Sequence, residues 1–201
     1  MDYLKGNVCV FGDSISWGAS DLESAGWVTQ LLLYAQKNIE DETIIYNLGI
    51  PSENTSGLIK RLENESNARN PETIIIASGI NDCHYKKSLG RRSIEIEEFE
   101  KNIYEIIRMS KKYTFKIVFV GLTSVNEKLT TPTIWSDDEF FRNEDIKEYN
   151  YQLKEICSKE KIVFIDVIDL LTNEDLDSAD GIHPNSQGHK KLFDYIMSQL
   201  Y

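Results

Sequence analysis

The segment Val8-Cys9-Val10-Phe11-Gly12-Asp13-Ser14 decides the fold, because an apolar run stops there at a glycine, an acid and a hydroxyl. A continuous apolar run is typical of a strand buried on both faces of a parallel sheet. Ligands bind outside the carboxyl ends of such strands, so Ser14 lies where chemistry is expected. Ser14 is therefore a candidate nucleophile, although Asp and Ser are also typical residues of a helix N-cap.

Four further apolar runs predict strands at 43–48, 73–79, 115–121 and 162–167. Between and after them, apolar residues recur at steps of three and four, which predicts amphipathic helices. The first of these helices is predicted over 27–37, and another is predicted to start near Asn143, whose residue type is favoured at the N-cap. Strands that alternate with helices indicate βαβ units with right-handed crossovers. We predict one α/β domain over residues 1–201, with three layers and a five-stranded parallel sheet.

The charge balance limits the classes of partner. The 201 residues include 22 basic and 33 acidic side chains, which gives a formal net charge of −11 at pH 7. A chain with this charge repels nucleic acids and anionic membrane surfaces. We therefore expect no nucleic-acid partner, and a small uncharged or cationic substrate.

Three features of the sequence predict a cytoplasmic protein. The start of the chain lacks the basic segment and the apolar stretch of a secretory signal. No apolar run approaches the ~20 residues that span a bilayer, so no membrane span is expected. The three cysteines, at positions 9, 83 and 157, are odd in number and widely spaced, which predicts free thiols in a reducing compartment.

Residues suited to nucleophilic catalysis follow three of the predicted strands and precede the last helix. A serine hydroxyl needs a base to take its proton, and the base needs an acceptor that fixes its tautomer. His183 and Asp180, three residues apart in one loop, match these two roles. The developing oxyanion needs converging donors, and we expect the backbone N–H groups of Ser14 and Gly49 and the side-chain amide of Asn81 to supply them.

Each of these residues also has a purely structural interpretation. His183 alone is typical of a surface loop, Asn81 can cap a helix, and Gly49 can simply form a turn. The functional interpretation is favoured because separate coincidences would otherwise have to place a nucleophile, two donors and a base at one sheet edge. The other histidines, His84 and His189, are interpreted as a loop residue and a helix residue without a chemical role.

Four sequence blocks resemble those of the SGNH or GDSL hydrolase family. They are Gly12-Asp13-Ser14, Asn47-Leu48-Gly49, Gly79-Ile80-Asn81-Asp82 and Asp180-Gly181-Ile182-His183-Pro184. The resemblance spans nearly the whole chain and implies a flavodoxin-like fold with serine esterase chemistry that uses neither a metal nor a cofactor. It implies that Ser14 is the nucleophile, that Gly49 and Asn81 are oxyanion donors, and that Asp180 and His183 complete the triad.

The predicted function is hydrolysis of small carboxylic esters through an acyl-enzyme on Ser14. Short to medium acyl esters, thioesters and acetylated sugars are the candidate substrates. A second hypothesis is a metal-dependent phosphoesterase, because Asp13, Asp82 and His183 are residue types that bind divalent ions. A third is a non-catalytic flavodoxin-like binding domain, which the lack of a Gly-x-Gly-x-x-Gly motif disfavours for dinucleotides.

The stretch from Thr123 to Arg142 is the longest without a periodic pattern, and loops of this length are often functional. We expect its aromatic residues Trp135, Phe140 and Phe141 to wall the substrate cleft, with Trp17 on the other side. The alternative is that these rings only attach the loop to the core. A cleft walled by a few aromatic side chains favours a short or medium acyl group.

Overall fold

A five-stranded parallel sheet forms the centre of the computed structural model, which describes residues 3–38 and 43–200. In chain order the strands are β1 (Asn7–Gly12), β2 (Ile44–Gly49), β3 (Thr73–Ala77), β4 (Tyr85–Lys86), β5 (Arg91–Arg92), β6 (Ile117–Val120), β7 (Glu139–Phe140) and β8 (Val163–Ile165). The main sheet has the order β2-β1-β3-β6-β8, with every neighbouring pair parallel. This is the doubly wound order of the flavodoxin-like fold, so the predicted fold is confirmed.

The helices connect these strands and cover both faces of the sheet. They are α1 (Ser14–Trp17), α2 (Trp27–Asn38), α3 (Thr55–Arg69), α4 (Ile80–Cys83), α5 (Ile96–Ser110), α6 (Glu127–Thr130), α7 (Asn143–Glu160) and α8 (Ser186–Leu200), with a 3₁₀ turn at Asn173–Asp175. None of the helices in the described part of the chain is long and apolar enough to cross a membrane.

Alternate residues of β1 point into two separate cores. Val8 and Val10 pack with α2 and α8 on one face of the sheet. Cys9 and Phe11 pack with α3, α5 and α7 on the other face. All four side chains are fully buried, which explains why the strand is apolar at every position. The three-layer prediction is thereby confirmed.

Two local features differ from the sequence-based prediction. The short strands β4, β5 and β7 form a second, antiparallel sheet beside the main one, and two-residue strands are too short to show a periodic pattern. Asn143 does not cap α7, because its side chain instead accepts from the Val125 N–H at 2.9 Å and donates to the Val125 carbonyl at 2.9 Å. These two hydrogen bonds therefore join the start of the loop from Thr123 to Arg142 to the residue that follows its end.

Candidate active site

Ser14 begins α1 immediately after the carboxyl end of β1. Asp13 caps this short helix, since its Oδ1 accepts a hydrogen bond from the Ile15 N–H at 2.9 Å. The helix ends at Gly18, whose φ of 102° is one that L side chains rarely adopt. The sharp turn therefore fixes Ser14 at the sheet edge between β1 and β3, where the strand order reverses.

The structure brings Ser14, His183 and Asp180 together in a hydrogen-bonded chain. The His183 Nε2 lies 2.8 Å from the Ser14 Oγ, and its Nδ1 lies 2.7 Å from the Asp180 Oδ2. A carboxylate only accepts, so Nδ1 carries the proton and Nε2 is free to accept the serine hydroxyl proton. Three side chains from two distant parts of the sequence thus form the arrangement of a nucleophile, a base and an orienting acid.

Hydrogen bonds hold the Asp180 carboxylate in its charged form. Burial raises the pKa of Asp180, but the His183 side chain and the N–H groups of Ile182 and His183 outweigh burial and leave this pKa below its usual value. The two N–H groups donate to Oδ1 at 2.7 and 3.0 Å, so Oδ2 remains for the imidazole. Gly181, with a φ of 70°, makes the tight turn that allows this geometry.

Asn81 lies on α4, just beyond the end of β3, and its side-chain amide is held in place. The Nδ2 donates one hydrogen to the Glu53 carbonyl at 3.0 Å, which leaves its second hydrogen for another acceptor. The backbone N–H of Ser14 has no intrahelical acceptor, because Ser14 is the first residue of its helix. Two of the three predicted donors are therefore available at this edge.

Gly49, the third predicted donor, does not have a free N–H group. Its N–H donates to the Asn47 Oδ1 at 3.0 Å. A Cβ at this position would lie 2.4 Å from the backbone nitrogen of Trp17 and 2.8 Å from the carbonyl oxygen of Asp13. The structure therefore accounts for Gly49 by the close approach of β2 to α1, and not by a donor role.

Ser52 is a neighbouring residue that the sequence analysis missed. Its φ of 64° lies in the left-handed region, which is uncommon for a residue other than glycine. Its backbone N–H has no hydrogen-bond acceptor within the described ranges, and the residue lines the same cleft as Asn81. No sequence signal marked it, because the left-handed conformation occurs here at a serine.

A partly buried ion pair and a buried carboxylate hold the segment 50–55 against the sheet. The Glu53 carboxylate pairs with Arg61, whose Nη2 also donates to the Leu48 carbonyl at 2.7 Å. The Asp82 carboxylate accepts from the backbone N–H and the hydroxyl of Thr55. Burial raises the pKa of Asp82 to about 7, despite these hydrogen bonds. The carbonyl that orients Asn81 is therefore fixed from both sides.

Two of the four aromatic residues predicted to wall the cleft do line it. Trp135 and Phe141 line the cleft that contains Asn81. Phe140 packs instead against Tyr85, with ring centroids 6.2 Å apart, and its neighbour Arg142 lies over both rings. Trp17 is 56 % exposed and does not line the cleft that contains Asn81.

The alternative metal site is not assembled. Asp13 caps α1 and Asp82 binds Thr55, so each carboxylate already has a structural partner. Across residues 3–38 and 43–200, no group of three or more His, Cys, Asp or Glu side chains is arranged to hold a metal ion. The three cysteines are buried and free, and burial raises the pKa of Cys9 and Cys157 to about 12.

A serine-histidine-aspartate site on a flavodoxin-like sheet defines a class of hydrolases, and the sequence comparison gives the family. Residues 10–191 match the model of the GDSL-like lipase/acylhydrolase family. The chain belongs to this family and is a carboxylic ester hydrolase. A search of the curated proteins found no match.

Solved structures share this fold over nearly their whole length. A lipase/acylhydrolase from Enterococcus faecalis has a TM-score of 0.78 at 21 % identity, covering 97 % of this chain and 95 % of that one. An α/β hydrolase from the metagenome of Lake Arreo, Spain, has a TM-score of 0.78 at 18 % identity, covering 100 % of this chain and 98 % of that one. An acetylxylan esterase from Geobacillus stearothermophilus has a TM-score of 0.77 at 17 % identity, covering 98 % of this chain and 96 % of that one. At these sequence identities, the likenesses show a shared fold.

Proposed function

We propose that the protein hydrolyses small carboxylic esters through an acyl-enzyme on Ser14. The observation that carries this proposal is the continuous chain from Ser14 Oγ to His183 Nε2 at 2.8 Å and from His183 Nδ1 to Asp180 Oδ2 at 2.7 Å. Such a chain activates a hydroxyl that is otherwise a weak nucleophile.

The reaction proceeds in two steps. Ser14 Oγ attacks the ester carbonyl while His183 Nε2 takes the hydroxyl proton, and the tetrahedral intermediate collapses as that proton passes to the leaving alcohol. The Ser14 ester that remains is then attacked by water, whose proton His183 accepts and returns to Ser14 Oγ as the carboxylic acid leaves. Asp180 stabilises the imidazolium in both steps and does not itself take the proton.

The oxyanion is stabilised by the backbone N–H of Ser14, the Nδ2 of Asn81 and the backbone N–H of Ser52. Ser52 replaces the predicted Gly49 because the Gly49 N–H is already donated to Asn47. Preorganised donors of this kind act mainly on the charge that develops in the transition state.

Replacing Asn81 by alanine is expected to lower kcat by about 10²–10³-fold, with a much smaller change in KM. The reason is that the amide bonds the oxyanion, which exists only after the attack. Steady-state kinetics and a thermal melt of the same variant check this. A variant that melts earlier but keeps its kcat would show that Asn81 only supports the fold.

The Ser52 assignment is tested on the protein inhibited by a phosphonate that mimics the tetrahedral intermediate. The amide proton resonance of Ser52 is expected to move strongly downfield when the adduct forms, because its N–H then donates to a charged oxygen. Gly49 is the matched control, and its resonance is expected to move little. A large shift at Gly49 with none at Ser52 would restore the original assignment.

The acyl group is proposed to be short. The cleft beside Asn81 is lined mainly by polar residues, so it offers no extended apolar groove for a long acyl chain. An acetyl ester is also the substrate named for the acetylxylan esterase that shares the fold.

Among p-nitrophenyl esters of increasing acyl length, kcat/KM is expected to be highest for the short members and to fall beyond them. Each additional CH₂ contributes at most ~0.8 kcal/mol, and only while it is buried. Initial rates across the series, each measured below the solubility limit of the ester, check this. A maximum at long-chain esters would contradict the short-acyl proposal and leave the acyl-enzyme proposal standing.

A further inference from the structure

A polar cleft of about 250 Å³ opens beside the Asn81 amide. Seven of its lining residues are polar or charged, and two are aromatic. The proposed reaction uses only Asn81 and Ser52 among them, so the remaining polar side chains have no assigned role. Ligand sites use a small number of placed polar groups to set orientation and specificity.

His84 is the most informative of these side chains. The residue is 7 % exposed and its ring stacks on Phe141, with centroids 5.0 Å apart. The Nδ1 lies 3.0 Å from the Asn81 carbonyl oxygen, which only accepts, so Nδ1 carries a proton. Burial lowers the pKa of His84, which favours the neutral ring and makes Nε2 an acceptor. This buried Nε2 has no hydrogen-bond partner within the described ranges.

Glu139 places a second acceptor opposite this nitrogen. Its Oε1 lies 4.0 Å from the His84 Nε2, which is too far for a hydrogen bond, and 3.7 Å from the Lys86 Nζ. A donor placed between these two acceptors, such as the hydroxyl of water or of a ligand, would satisfy both. Leaving a buried acceptor unpaired is costly, so an apolar ligand is disfavoured here.

Trp135 provides an apolar surface next to these acceptors. The residue is 51 % exposed, and its Nε1 donates to the Glu139 Oε2 at 2.9 Å, which fixes the ring beside the carboxylate. The cleft thus combines an open aromatic face with two acceptors and the cation of Lys86. Because the cation and the carboxylate balance, neither an anionic nor a cationic ligand is favoured over a neutral one.

We infer that this cleft binds the alcohol part of the ester, and that this alcohol is a sugar with free hydroxyl groups. Hydroxyl groups donate to the His84 Nε2 and the Glu139 carboxylate and accept from Lys86, while the C–H face of the sugar ring packs on Trp135. The inference rests on the proposed function, because it concerns the leaving group of the same reaction. His84, Glu139 and Trp135 are specificity residues in this account, and none takes part in the bond changes.

Two acetyl esters with rings of similar size test the inference. One is a monoacetylated methyl glucoside, and the other is cyclohexyl acetate, which has no hydroxyl groups. We expect the wild-type protein to prefer the glucoside in kcat/KM by at least about tenfold, the effect of one net hydrogen bond to a buried group. A site built to bond hydroxyl groups discriminates against an analogue that lacks them.

Two variants locate the preference. His84→Asn retains a donor near Nδ1 for the Asn81 carbonyl and removes the Nε2 acceptor, so the glucoside-to-cyclohexyl ratio is expected to fall about tenfold. Trp135→Ala is expected to lower the same ratio. Phe115→Ala is the matched control, because Phe115 is an 88 % exposed aromatic residue that precedes β6, at the other end of the strand, and its loss is expected to leave the ratio unchanged.

The outcomes separate the two proposals. If the wild-type protein hydrolyses neither ester, and p-nitrophenyl acetate is also left intact, the proposed function fails. If it hydrolyses both esters without a preference, or if His84→Asn lowers both rates equally and leaves the ratio unchanged, only the assignment of the cleft is overturned. Thermal melts of each variant establish that the proteins compared are folded.

Discussion

Replacing His183 by alanine is expected to lower kcat by at least about 10⁴-fold, with a change of only a few-fold in KM. The imidazole is the only group within hydrogen-bond distance of the Ser14 Oγ among the described residues, so no other side chain takes over the proton. Its loss leaves the oxyanion donors and substrate binding in place. Steady-state kinetics on p-nitrophenyl acetate measure the effect.

Asp180→Asn is the companion variant, and it is expected to retain at least as much activity as His183→Ala. The aspartate orients the base and stabilises its cation, whereas the histidine carries the proton. The amide also keeps an oxygen for the N–H groups of Ile182 and His183, so the loop turn survives. Wild-type turnover in His183→Ala would refute the assignment of the base.

Replacing Ser14 by alanine is the second change with a large expected effect, a loss of at least about 10⁴-fold in kcat. Without the hydroxyl, no acyl-enzyme forms and only transition-state stabilisation by the donors remains. Ser16→Ala is the matched control on the same short helix, because the Ser16 hydroxyl is buried and makes no hydrogen bond within the described ranges. Ser16→Ala is expected to keep kcat within a few-fold of the wild type.

The central fold could be predicted because its signals are local. The strands β1, β3 and β6 are largely apolar runs, and the burial of both faces explains that pattern at Val8, Val10, Cys9 and Phe11. The second sheet could not be predicted, since its two-residue strands are joined by pairing between Tyr85 and Phe140, which are far apart in sequence. Such pairing depends on tertiary structure.

The candidate site was predicted where residue type alone limits the role. A hydroxyl, an imidazole and a carboxylate have few chemical alternatives, and Ser14, His183 and Asp180 do come together. Glycine is different, because a sequence does not distinguish a glycine required for close packing from one whose N–H serves a ligand. Gly49 belongs to the first kind, whereas the free N–H lies at Ser52.

In the loop from Thr123 to Arg142, residue type alone likewise does not predict which aromatic side chains line the cleft. Trp135 and Phe141 reach the cleft, but Phe140, adjacent in sequence to Phe141, points to Tyr85 on the second sheet. Alternation along a strand explains the difference, since neighbouring side chains face opposite sides. His84 was missed because its position against Phe141 depends on a contact across more than fifty residues.

The role of Ser14 as nucleophile is tested by mass spectrometry of the protein after reaction with a fluorophosphonate, which modifies activated serine hydroxyl groups. We expect one modified residue, Ser14, in the wild-type protein, the same residue in Ser16→Ala, and no modification in Ser14→Ala. Because His183 activates the hydroxyl, the label is also expected to form much more slowly in His183→Ala. Modification at Ser16 or at any other residue in place of Ser14, or no modification of the active wild-type protein, would contradict the account.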